Sequence, residues 1–111
     1  FIGSDIVYTN ESKNLLLNDE NINFDDWEEL TYNLTESSLN KYKSNVALTI
    51  LGEAGPISSS KYPVGTIFIC ISNGEKTVIS DHKMNGNRAE ILERASNKAQ
   101  WELIKFIKNL Y

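Results

Sequence analysis

A chain of 111 residues with 41% apolar and 23% charged content has the make-up of one folded globular domain, spanning residues 1–111, and leaves no room for a second core. The formal net charge is −4, with acid and base interspersed, so no basic stripe is available to track a nucleic-acid backbone. No apolar run approaches the ~20 residues of a membrane span, so neither nucleic acid nor a membrane is expected as a partner.

In chain order, Ile2, Ile6, Val7 and Tyr8 suggest a first strand, in a chain that opens directly on FIGSDIVYT. An apolar strand at residue 1 raises the expectation that something precedes it in the native gene, because termini are normally exposed and frayed. TNESKNLLL follows, with Thr9 or Asn10 able to cap a short helix through Leu17. After the loop NDENIN, Asp25 with Glu28 three residues on predicts the capping box of a longer helix. Trp27, Leu30, Leu34 and Tyr42 fall near helical spacing, which leaves Glu29, Asn33, Glu36 and Lys43 on the outer face.

NVALTIL is nearly continuous apolar sequence, as in a strand covered on both faces, and VGTIFICI is another. Between them, Gly52 to Pro63 makes a link of twelve residues, where hairpins usually need about 2–5. A loop that long moves, binds something or is disordered, or merely bridges two non-adjacent strands. Asn73-Gly74 supplies the positive φ angles of a tight hairpin into KTVISDHKM. The last segment predicts a helix of roughly six turns, with Asn87 as N-cap, Glu90 at N3 and a buried stripe of Ile91, Ala95, Ala99, Leu103, Phe106 and Leu110. Helices interleaved with apolar strands imply an α/β sandwich with a mixed sheet.

Residues with chemical potential are few. Cys70, the only cysteine, lies in an apolar run and reads as a buried thiol; without a signal peptide, a reducing, cytoplasmic location is expected. His82, the only histidine, reads as a surface or edge residue of a hairpin strand, and no metal-ligand spacing surrounds either residue. No cofactor motif of the GxGxxG, GxxxxGK[ST] or GxSxG type occurs, and no cofactor is expected.

Three stretches remain. Tyr8 and Lys13 flank a strand-to-helix junction, where a partly desolvated lysine can act as a general base or simply be solvated. The glycines of GEAGP and PVGT let a backbone approach a ligand, or merely shape a loop. Arg88 stands at the first turn of the last helix, a ready place for phosphate or carboxylate, or for an ordinary surface pair.

Taken together, FIGSDIVYTNESKNLLL, LTILGEAGPISSSKYPVGTIFICI and GNRAEILERA resemble the C-terminal domain of the CinA family, the nicotinamide mononucleotide (NMN) deamidases. The family pattern runs F-x-G-G-V-V-x-Y-S-N-E-A-K, then T-G-x-A-G-P with P-V-G-T, then G-x-R-x-x-I-R-x-x-A. The resemblance covers nearly the whole chain with its spacing kept, and implies a three-layer α/β/α sandwich. It also implies that Lys13 activates a family serine, that Tyr8 is an active-site tyrosine, and that Gly52, Gly55 and Arg88 border a substrate of the NMN type.

Two departures weigh against hydrolysis by this chain. The family serine belongs to an E-S-C-T-G-G segment upstream of the first strand, and these 111 residues contain none, as though the family's first strand and helix were missing. Leu51 replaces the threonine of T-G-x-A-G-P, while Glu53 adds a carboxylate that would repel a phosphate-bearing substrate unless neutralised. INFDDWEE also lacks the family's G-A-V-S. The expectation is therefore an impaired or inactive deamidase fold; the alternatives are an amidohydrolase whose serine lies outside this chain and a protein-interaction module. An exposed edge at the first strand would favour a homo-oligomer or a partner protein.

Overall fold

The structure, a computed structural model, describes Gly3, residues 23–58 and residues 60–110. The expected first strand and short helix, with Tyr8 and Lys13, lie outside the described residues.

Helix α1 (Trp27–Tyr42) leads into strand β1 (Ala47–Gly52), followed by β2 (Thr66–Ser72), β3 (Thr77–Lys83) and helix α2 (Arg88–Leu110). The sheet order is β1-β2-β3 and both pairings are antiparallel. The strand that would make the sheet mixed was expected among residues outside this description.

Alternation along β2 builds two separate cores. Ile67, Ile69 and Ile71 point to one face, where they pack with Ala54 and with Ile91, Ala95, Ala99 and Phe106 of α2. Phe68 and Cys70 point to the other, across from Leu51 and Thr49 of β1, and Phe68 and Leu51 pack with Trp27, Leu30 and Leu34 of α1. The result is the expected α/β/α layering. A strand buried on both faces must be apolar at every position, which accounts for the unbroken run IFICI. Burying each isoleucine of this strand contributes roughly 1.5–3 kcal/mol. β1 is less covered than its sequence suggests: Ile50 remains 44% exposed, while Ala47 and Leu51 are buried.

Local details depart from expectation in four places. The N-cap of α1 is Asp26, not Asp25, and its carboxylate accepts from the Glu29 amide at 3.2 Å. Glu36 is not on the outer face: the Ser72 hydroxyl donates to it at 3.0 Å where the end of β2 crosses α1. The two-residue loop of the β2–β3 hairpin is Gly74-Glu75 rather than Asn73-Gly74, since the Asn73 amide donates to the Lys76 carbonyl at 3.1 Å, and within it only Gly74 has positive φ, at 89°. Asn73 instead works through its side chain, which accepts from the Glu75 and Lys76 amides at 2.9 and 2.7 Å. Finally, β1 and β2 are direct neighbours, so the long loop between them does not bridge separated strands.

Helix α2 begins as expected. The Asn87 side chain accepts from the Glu90 amide at 2.9 Å and the Glu90 carboxylate accepts from the Asn87 amide at 3.0 Å. Its stripe is buried at Ile91, Ala95, Ala99 and Phe106 and half-buried at Leu103; the side chain of Leu110 is outside the description. Among the described residues, no helix is long and apolar enough to cross a membrane.

Candidate functional site

The loop between β1 and β2 is an extension of their hairpin that opens into an irregular tip. The Glu53 amide donates to the Thr66 carbonyl at 3.0 Å, and the Gly65 amide donates to the Glu53 carbonyl at 2.7 Å. Gly65 in turn accepts from the Met84 amide at 2.7 Å, tying the loop to the segment just before α2. Its φ is +96°, and a Cβ there would run into the Met84 carbonyl, so PVGT needs glycine at this point. The Lys83 ammonium donates to the Val64 carbonyl from the same side.

Three of the expected site residues are described, and the structure joins two of them. The Arg88 guanidinium donates through Nη1 to the Gly55 carbonyl at 2.9 Å, across 33 positions of sequence. Gly55 has φ +80°, and a Cβ on it would lie 2.8 Å from Val64 Cγ1, a second position where backbone shape demands glycine. Gly52 ends β1 opposite Ile67, at the base of the loop. An arginine has five N–H donors, so one bond to a carbonyl leaves others for an acidic ligand. The capping box places the Glu90 carboxylate at the same helix end. Arg88 and Lys83 are thus both cations bonded to the loop, Arg88 through the Gly55 carbonyl and Lys83 through the Val64 carbonyl.

Sequence reading missed the residues that hold the loop's shape. The Tyr62 hydroxyl accepts from the Trp27 amide and donates to the Asp25 carbonyl, both at 3.1 Å, while its ring stacks on Trp27 at 4.4 Å between centroids. Phe68 closes this aromatic group edge-on, 5.5 Å from Tyr62 and 6.2 Å from Trp27. Inside the loop, the Ser60 hydroxyl donates to the Glu53 carboxylate at 3.2 Å and accepts from the Tyr62 amide at 3.2 Å. The Ser58 hydroxyl lies 2.8 Å from the Ser60 carbonyl and 2.5 Å from the Tyr62 carbonyl. An aromatic residue within SSSKYP was the one available signal, since tyrosine in a polar loop commonly has an anchored ring.

The two departures from the family pattern fall in different places. Leu51 is buried among Trp27, Leu30 and Leu34 and belongs to the α1 core. Glu53 is 8% exposed, its carboxylate turned into the loop's own hydroxyl network. A separate groove of about 270 Å³ runs between α1 and β3, lined by Asp26, Glu28, Glu29, Tyr32 and Ile79. Its acidic lining is unsuited to an anion, so among the described residues the loop with Arg88 is the candidate site. Cys70 is fully buried, and burial pushes its thiol pKa up, with the Thr35 hydroxyl acting in the opposite direction and Glu36 adding a smaller upward push. His82 is half-buried on β3, with Nε2 2.9 Å from the Ser80 hydroxyl.

A three-layer α/β domain with a glycine-shaped loop fastened to a helix-start arginine is the class of protein that these features define. Known proteins narrow it. The family model for the CinA C-terminal domain matches residues 1–107. A CinA-like protein of Syntrophomonas wolfei is 30% identical over 114 residues, covering 98% of this chain and 27% of that protein. One of Petrotoga mobilis is 28% identical over 116 residues, covering 100% of this chain and 29% of that protein. Among solved structures, the competence damage-inducible protein A of Klebsiella pneumoniae superposes with TM-score 0.83 at 17% identity, over 91% of this chain and 66% of that one. A CinA superfamily protein of Enterobacter cloacae gives 0.81 at 21% identity, over 89% and 62%. The chain belongs to the CinA C-terminal domain family, and it spans less than a third of the length of these two curated relatives.

Proposed function

We propose that these 111 residues form a CinA-type domain that binds a pyridine nucleotide of the NMN type at the Glu53–Gly65 loop and does not hydrolyse its amide unaided. The observation that carries the reading is the 2.9 Å bond from Arg88 to the Gly55 carbonyl, which holds a cation with further N–H donors against the glycine-shaped loop, where a phosphate can pair with it. Impaired chemistry is supported by Leu51, which supplies a buried hydrocarbon where the family pattern has a threonine hydroxyl. It is supported further by Glu53, whose carboxylate is occupied within the loop and adds negative charge beside the nucleotide. A serine is a weak nucleophile without a base, and the residue matching the family base is Lys13.

The test measures NMN binding by calorimetry and ammonia release from NMN, with Arg88→Ala and Lys13→Ala alongside. The expected outcome is binding without ammonia release, and roughly tenfold to hundredfold weaker binding in Arg88→Ala, the effect of losing hydrogen bonds from a charged donor. Ammonia release that disappears in Lys13→Ala would establish the amidohydrolase instead. Absence of both binding and turnover would sink the nucleotide reading and leave the interaction module.

A further inference from the structure

Two cations lie against the neck of the loop between β1 and β2. The Arg88 guanidinium donates to the Gly55 carbonyl at 2.9 Å, and the Lys83 ammonium donates to the Val64 carbonyl. Gly55 and Val64 sit side by side across that neck, since a Cβ on Gly55 would lie 2.8 Å from Val64 Cγ1. A Cβ on Gly65 would lie 3.5 Å from Lys83 Cε, so the lysine stem runs alongside that glycine.

Their placement is fixed by the backbone around them. Residues 84–87 join the two, and the Met84 amide is held by the Gly65 carbonyl at 2.7 Å. Arg94 donates to the Asn85 carbonyl, and the cap formed by Asn87 and Glu90 sets the turn that carries Arg88. Lys83 and Arg88 are therefore held in place before any ligand arrives.

Charge gives this arrangement its meaning. The ion pairs among the described residues use Arg94, Lys98 and Lys105, and involve neither Lys83 nor Arg88. The carboxylates of the loop and the helix start, Glu53 and Glu90, are bonded to the Ser60 hydroxyl and the Asn87 amide. Lys61, within the loop itself, lies over the Tyr62 ring at 5.4 Å from its centroid. A backbone carbonyl carries only a partial charge, so Lys83 and Arg88 keep theirs. Both are exposed, and an ammonium has three N–H donors and a guanidinium five. On a chain of formal net charge −4 they make an island of positive potential. A carboxylate brings one negative charge to such an island. A phosphate monoester brings three acceptor oxygens and, above its second pKa near 6, close to two charges.

We propose that Lys83 is the second cation of the loop's anion site, and that Lys83 and Arg88 together select ligands bearing a phosphate monoester. This rests on the nucleotide reading above, to which it adds a residue of β3 and a charge requirement.

Calorimetry with NMN and with nicotinamide riboside, the same molecule without its phosphate, tests this on the full chain. NMN should bind about tenfold or more tightly than the riboside. Lys83→Ala and Lys83→Gln should each lower that ratio about fivefold, and Lys83→Arg should keep most of it. Lys83→Gln retains a donor for the Val64 carbonyl, so it removes the charge and spares the loop, and circular dichroism checks that each variant folds. A lysine that only shaped the loop would weaken both ligands together and leave the ratio unchanged, which overturns the proposal. A ratio that falls in Arg88→Ala but not in the Lys83 variants also overturns it and leaves the nucleotide reading standing. Absence of NMN binding in the natural protein overturns both.

Discussion

Cys70 shows how one side chain can be set by both layers at once. It stands on β2 with no exposed surface, on the α1 side, beside the Thr35 hydroxyl. Burial raises its pKa above the ordinary 9.0, so the folded chain holds the thiol proton at a pH where the unfolded chain has begun to lose it. The neutral thiol therefore contributes stability that is complete below about 9 and is lost as pH rises above it. Urea unfolding from pH 7.5 to 10 should show native stability falling faster in the natural protein than in Cys70→Ala. Parallel curves would mean that the thiol does not titrate differently on folding. At the same scale, the sequence marks Tyr62 only as an aromatic residue in a polar loop, because its worth lies in two bonds to residues 35 and 37 positions away.

Helix ends separate local from distant control. Asn87 and Glu90 cap α2 as their spacing predicts, because the reciprocal bonds form within four residues. Asn87→Ala should cost about 1 kcal/mol in urea denaturation, with Glu90→Ala on top of it adding less than its separate effect. Full additivity would show that the two side chains do not act as one cap. For α1 the spacing predicts a box of Asp25 with Glu28. The structure instead caps the helix with the Asp26 side chain, while the Asp26 amide donates to the Asn23 carbonyl, and the Tyr62 hydroxyl is bonded to the Asp25 carbonyl and the Trp27 amide at the start of the helix. The loop between β1 and β2 and the start of α1 are thus one unit.

Across the whole molecule, β2 is the shared wall of two cores. Leu30 is buried in one and Ile69 in the other, each about 1% exposed. Because odd and even residues of one strand serve opposite layers, neither core can loosen without disturbing the other's backbone. Leu30→Ala and Ile69→Ala should each cost about 2–5 kcal/mol. Unfolding followed by fluorescence of buried Trp27, in a Trp101→Phe background, should coincide with unfolding followed by circular dichroism. Separated transitions would mean that the two layers melt independently.

What the sequence by itself determined were features with a local cause: strand runs, the α2 cap, the glycines of GEAGP and PVGT, and the family pattern that strings them together. Periodicity and spacing record interactions over a few residues, so these could be read directly. Tertiary structure alone decided that Glu36 turns inward to Ser72, that Tyr62 pins the loop to α1, and that Arg88 reaches the Gly55 carbonyl. Each depends on which strands become neighbours and which helix covers which face. That arrangement is set by burying two apolar surfaces against one sheet, an energy summed over the whole chain and written at no single position.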